Sequence, residues 1–201
     1  SALHRRLNEF RRFEFMDADS THDSVNQILR YLDRGINVVL EFGKYGRDTD
    51  AYILVANLLT RRIYDRYAAY KERSLSGTGK EPTPLVITIE EAHKYLTAEL
   101  ASQTIFGTIA REMRKYNVTL LIVDQRPSQI DEEVMSQLGT KLVCLLDNNR
   151  DVDSVLSGTS GQRKLRSVLS SLDSRQQALV CGHALPMPVE IRVRDYGTSE
   201  S

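Results

Sequence analysis

From Pro84 the chain runs Pro84-Leu85-Val86-Ile87-Thr88-Ile89 and then presents two adjacent carboxylates, Glu90 and Glu91. A short, β-rich run with almost no polar position predicts a strand of a parallel sheet covered on both faces. Val118 to Val123 repeats the pattern and ends in Asp124-Gln125. Such strands need covering helices, which confines the chain to α/β architectures. Open sheets of this kind carry their functional groups just beyond the carboxyl ends of the strands. Positions 90–91 and 124–125 are therefore where chemistry is sought first.

The flanking patterns fit that architecture. Thr21 or Asp23 can cap a helix carrying Val25, Ile28, Leu29 and Leu32, with Gly35 as its stop. Ile36 to Phe42 reads as a further strand. Asp48 or Thr49 opens a long helix with Val55, Leu59, Ile63 and Tyr67 on one stripe. Arg73 to Thr83 reads as a loop. A second long helix is expected over Thr97–Tyr116, and a short one over Asp131–Leu138. The strand Lys141–Leu146, helices Arg150–Leu156 and Gln162–Leu172, and strands Gln177–Cys181 and Val189–Val193 follow. The implied fold is a single α/β domain over 1–201, with 1–20 as a lead-in. Its sheet is doubly wound and mostly parallel, flanked by helices, with a short β ending at the C-terminus.

Composition narrows the function classes. Lys+Arg 27 balance Asp+Glu 27, so any nucleic-acid contact must come from local patches or from assembly. Cys144 and Cys181 are too few for a disulfide framework or a zinc site and suit a reducing cytoplasm. No apolar run reaches the ~20 residues of a membrane span.

An acid pair ending a buried strand has the form of a Walker B element. Glu90 would hold a magnesium ion, and Glu91 would orient and deprotonate the attacking water. A plainer reading is that both acids only favour a helix N-terminus. No phosphate-cradling glycine loop, G-x-x-x-x-G-K-[ST], accompanies them. Gly77-Thr78-Gly79-Lys80 has Ser74 in place of the first glycine and Glu81 in place of the hydroxyl residue, and Pro82 and Pro84 forbid the following helix. Gly43-Lys44 has Val38 and Tyr45 at those two positions.

The most specific pattern is Ile109-Ala110-Arg111-Glu112-Met113-Arg114-Lys115-Tyr116, then a strand, then Asp124-Gln125-Arg126-Pro127-Ser128. With Glu90-Glu91-Ala92-His93 before it, the chain resembles the HerA family of hexameric DNA-translocating ATPases, relatives of FtsK and the conjugative secretion ATPases. The likeness runs from about Ile36 to Arg194 and includes Asn149-Arg150-Asp151 and Ala178 to Pro186. It implies a RecA-like P-loop NTPase core, here its C-terminal part, with the P-loop upstream.

The resemblance assigns roles residue by residue. Glu91 becomes the catalytic carboxylate, Glu90 the Mg²⁺ acid acting through water, and Gln125 the sensor at the ATP γ-phosphate. Arg114 is the arginine finger offered to a neighbouring subunit, with Arg111 as second choice. Asp124 replaces the usual Thr or Ser and brings a carboxylate near phosphates. Arg126 braces the sensor loop or joins a surface ion pair. His93 links the catalytic acid to the rest of the site and lacks the helical partner of a zinc ligand. Arg163, Lys164 and Arg166 form a basic cluster, read as a solvated helix face or as a phosphate-tracking surface.

The implied activity is ATP-driven translocation or unwinding of double-stranded DNA by a hexamer, with a NurA-like nuclease as partner and DNA-end processing as the setting. The isolated chain would be inactive. A catalytically inactive assembly or DNA-binding module is the alternative, and a metal-dependent nuclease built on Glu90, Glu91 and Asp124 a more distant one.

Overall fold

The structure, a computed structural model, describes residues 8–16, 23–45, 48–101, 105–159, 161–195 and 197. Its contacts divide the chain into two compact units, Ser1–Leu85 and Val86–Ser201. The polar stretch 73–83 lies just before that division.

In the first unit, α1 (Ser24–Asp33) is capped by Asp23, which accepts the Asn26 N–H at 2.9 Å. That bond holds the Asp23 carboxyl below its ordinary pKa. Thr21, the other candidate cap, lies outside the described residues. Gly35, at φ +72°, turns the chain out of the helix. Helix α2 (Thr49–Leu75) starts at Asp48, which accepts the Ala51 N–H at 3.1 Å. Along its predicted stripe Ile63 and Tyr67 are buried, and Val55 and Leu59 half-buried. The Tyr70 hydroxyl donates to Asp33 at 3.0 Å and ties α2 to α1. The segment 36–42, expected as a strand, has none assigned, and Val39 is 91% exposed. Its residues suit a strand, but a strand also needs a neighbour for its backbone groups. After α2 the Thr78 amide and hydroxyl both donate to the Arg73 carbonyl, forming a turn with no helix behind it.

The second unit is built on β1 (Leu85–Glu90) and β2 (Val118–Val123). They run parallel and end together, the Glu91 N–H donating to the Val123 carbonyl at 3.0 Å. One face is buried through Ile89 and Val118, while Val86, Leu121 and Val123 on the other are about half exposed. Apolar composition on both faces therefore does not mean cover on both faces within this unit. Of the expected helix over Thr97–Tyr116, α3 (Ala98–Ala101), α4 (Phe106–Glu112) and a 3₁₀ turn (Met113–Tyr116) are formed, with Ile105 in a turn and 102–104 outside the described residues. Asn117, at φ +63°, then swings the chain into β2.

Helix α5 (Glu132–Gln137) leads into β3 (Thr140–Val143). Helices α6 (Asn149–Leu156) and α7 (Gln162–Ser171) precede β4 (Gln177–Gly182) and β5 (Val189–Arg192). Here the sheet departs from the parallel expectation: β3, β4 and β5 form an antiparallel set, with Leu142 opposite Val180 and Val180 opposite Val189. Val143, Leu179 and Cys181 form its buried side, and α7 packs on β4. Gly182, at φ +109°, can only be glycine, because a Cβ would stand 2.2 Å from the Gly139 carbonyl oxygen. The result is the mixed α/β architecture the sequence implies, a parallel pair with flanking helices and a short β ending.

Candidate functional site

The parallel register of β1 and β2 brings their two polar ends together. Glu91 follows β1 with φ 52° and ψ 43°, a left-handed conformation uncommon outside glycine. Its amide is held by Val123, and its carbonyl accepts the Lys94 N–H at 3.0 Å. A 3₁₀ turn, Ala92–Lys94, follows the acids, so they do not head an α-helix.

From this position the Glu91 carboxylate meets three groups. The Gln125 amide donates to Oε1 at 3.4 Å, Lys94 Nζ lies 3.6 Å from Oε2, and His93 Nε2 lies 3.9 Å from the same oxygen. Glu91 and Gln125, expected to act together, are thus in contact. Lys94 is a member of the cluster the sequence reading missed; its signal was the i, i+3 spacing from Glu91.

Asp124 does not face open solvent. Its side chain is 4% exposed and accepts the His93 main-chain N–H at 2.7 Å, the His93 Nδ1–H at 2.9 Å and the Arg126 main-chain N–H at 2.6 Å. These bonds satisfy the buried carboxylate within the protein itself. They also orient the imidazole so that Nε2 faces Glu91. His93 is thus hydrogen-bonded to Asp124 and lies 3.9 Å from Glu91, between the two carboxylates. Arg126 braces the loop through its main chain, and its exposed side chain has no ion pair among the described residues.

Glu90 is exposed and has no partner among the described residues. No group of three or more His, Cys, Asp or Glu residues able to enclose a metal occurs among the described residues. A lone free carboxylate fits Mg²⁺, which keeps several waters and takes one or two carboxylates along with nucleotide phosphates.

The two candidate arginines are at the other end of β2. Arg111 pairs with Glu133 at 2.5 Å, while Arg114 is exposed with no side-chain partner among the described residues. Glu112, beside them, holds Lys115 at 2.9 Å and raises its pKa. Arg114 precedes β2 and Glu91 abuts its far end, so the length of the strand, about 20 Å at 3.3 Å per residue, lies between them along the chain. In the basic cluster Arg166 is paired with Asp153, whereas Arg163 and Lys164 stay exposed at the start of α7. No helix among the described residues is long and apolar enough to cross a membrane.

No family model matches the chain. It is 32% identical over 199 residues to the DNA double-strand break repair helicase HerA of Saccharolobus solfataricus, covering 96% of this chain and 38% of that protein. To HerA of Pyrococcus furiosus it is 34% identical over 116 residues, 56% of this chain and 21% of that protein. HerA of Sulfurisphaera tokodaii is 28% identical over 194 residues, with 87% and 38% covered. The chain thus spans less than half the length of these relatives. Among solved structures, the genome packaging NTPase B204 of Sulfolobus turreted icosahedral virus 2 with AMPPCP superposes with a TM-score of 0.44 at 14% identity, over 64% of this chain and 58% of that one. Over most of its length, this chain is a homologue of the HerA helicases.

Proposed function

We propose that this chain supplies the hydrolytic half of an ATP-dependent DNA translocase or helicase: the Walker B acids, the sensor and the arginine finger. The observation that carries the reading is the contact between Glu91 and Gln125 at the paired ends of β1 and β2. A carboxylate that takes a proton from water, beside a neutral amide that can donate to phosphate and accept from water, suits phosphoryl transfer. Glu90 would hold Mg²⁺ through its water shell. Arg114 would serve the site of a neighbouring subunit, since about 20 Å of strand separates it from Glu91 of its own chain.

Double-stranded DNA as substrate, a hexameric ring, a NurA-like nuclease partner and a cytoplasmic setting come with the HerA likeness and belong to this proposal. By itself the chain offers carboxylates but no glycine cradle for a triphosphate, and it would bind ATP weakly and hydrolyse none.

Glu91→Gln in the natural full-length polypeptide tests the reading. The change is nearly isosteric and removes the base. Mg²⁺-ATP should still bind while turnover falls by at least ~10³-fold. Turnover near the wild-type rate would remove Glu91 from the chemistry.

A further inference from the structure

The Gln125 amide reaches Glu91 from a segment without regular hydrogen bonding of its own. Between the end of β2 and the start of α5, residues 124–131 form only a 3₁₀ turn at Pro127–Gln129. Asp124 secures the near end and the Asp131 N–H, donating to the Leu96 carbonyl at 2.7 Å, the far end. The middle is secured from α6. The Asp151 carboxylate, 6% exposed on the first turn of α6, accepts the Ser128 N–H at 3.0 Å. One turn along, the Ser154 hydroxyl donates to the Pro127 carbonyl at 3.0 Å. The loop's peptide groups are thus gripped in both senses, one as donor and one as acceptor, by side chains three apart on one helix face. Asp151 also sits at the positive end of α6, where a buried carboxylate is favoured.

We propose that Asp151 and Ser154 are positioning residues for Gln125: together they clamp the sensor loop so that its amide stays on the Glu91 carboxylate. This rests on the reading of Glu91 and Gln125 as the hydrolytic pair. Both clamp residues bond the main chain at 127–128, and among the described residues no hydrogen bond or ion pair joins either to Gln125 or Glu91. Loosening the loop leaves the acid in place and misplaces its partner. Small misplacements of this kind weigh on turnover much more than on binding.

The test uses the natural full-length polypeptide with Mg²⁺-ATP. Ser154→Ala removes one bond with little change of volume and should lower kcat about five- to tenfold, leaving KM within about twofold. Asp151→Ala should cost more in kcat, whereas Asp151→Asn, whose amide oxygen can still accept from Ser128, should recover most of it. The decisive measurement is a cycle with Gln125→Ala. If the clamp works through Gln125, Ser154→Ala has no further effect on kcat in the Gln125→Ala background.

Equal losses with and without Gln125 overturn the proposal, as does an unchanged kcat in Ser154→Ala. A melting temperature for Ser154→Ala within a degree or two of wild type keeps the comparison free of unfolding. Glu91→Gln is run alongside: normal turnover there sinks the hydrolytic reading itself, whereas loss there with an inert clamp sinks only this inference.

Discussion

The Asp124 carboxylate accepts the main-chain N–H of His93 at 2.7 Å, joining the segment after β2 to the segment after β1. Its second oxygen holds Arg126, so one buried side chain organises both halves of the site. Asp124→Ala would strand these donors and should lower stability by about 3 kcal/mol, near the top of the range for buried groups left unpaired. Asp124→Asn keeps an accepting oxygen and should lose less than half as much. Urea denaturation of the two variants decides, and an undisturbed midpoint in Asp124→Ala would mean the strand ends are held by something else.

Arg114 and Arg111 should behave differently when truncated. Arg114 is exposed with no side-chain partner among the described residues, so Arg114→Ala should leave melting and nucleotide affinity unchanged while cutting turnover by about 10³-fold. Mixing it with Glu91→Gln subunits should restore part of the activity, since some interfaces then combine an intact acid with an intact arginine. Recovery absent from demonstrably mixed assemblies would place the finger elsewhere. Arg111 is occupied by Glu133, and Arg111→Ala should show a milder loss.

The two thiols should separate cleanly. Cys144 is exposed and Cys181 buried, so an aromatic disulfide reagent should modify Cys144 in the native protein and both residues in urea. Burial pushes the Cys181 thiol above its ordinary value, an effect the facing Lys141 ammonium partly opposes. The folded state therefore favours the neutral thiol. Its contribution to stability is whole below about pH 9 and is lost as pH climbs through the raised value. Denaturation of wild type and Cys181→Ala across pH 7–11 should show their difference narrowing on the alkaline side.

The parallel pair and its acid tips were legible because composition and period act locally. Leu85 to Glu90 and Val118 to Val123 are strands almost to the residue. The caps at Asp23 and Asp48 were legible for the same reason. What escaped depends on partners distant in sequence. Ile36 to Phe42 has the residues of a strand but no ladder neighbour among the described residues, and the antiparallel order of β3, β4 and β5 is set by pairing that periodicity does not encode. Asp124 looked like an intrusion of charge until His93, 31 positions away, proved to be what it holds. Asp151 and Ser154 grip a loop more than twenty residues earlier, which spacing along one chain cannot disclose.

The left-handed backbone at Glu91 sets chemistry against folding. Glycine would adopt that conformation without steric cost and would relax the main chain by about 1 kcal/mol. Since the Glu91 side chain is 41% exposed, few packing contacts would be forfeited in exchange. Glu91→Gly is therefore expected to melt at or above the wild-type temperature while losing its base. At this one position the sturdier protein would be the mute one, and a screen for thermal stability alone would discard the residue we propose as the base.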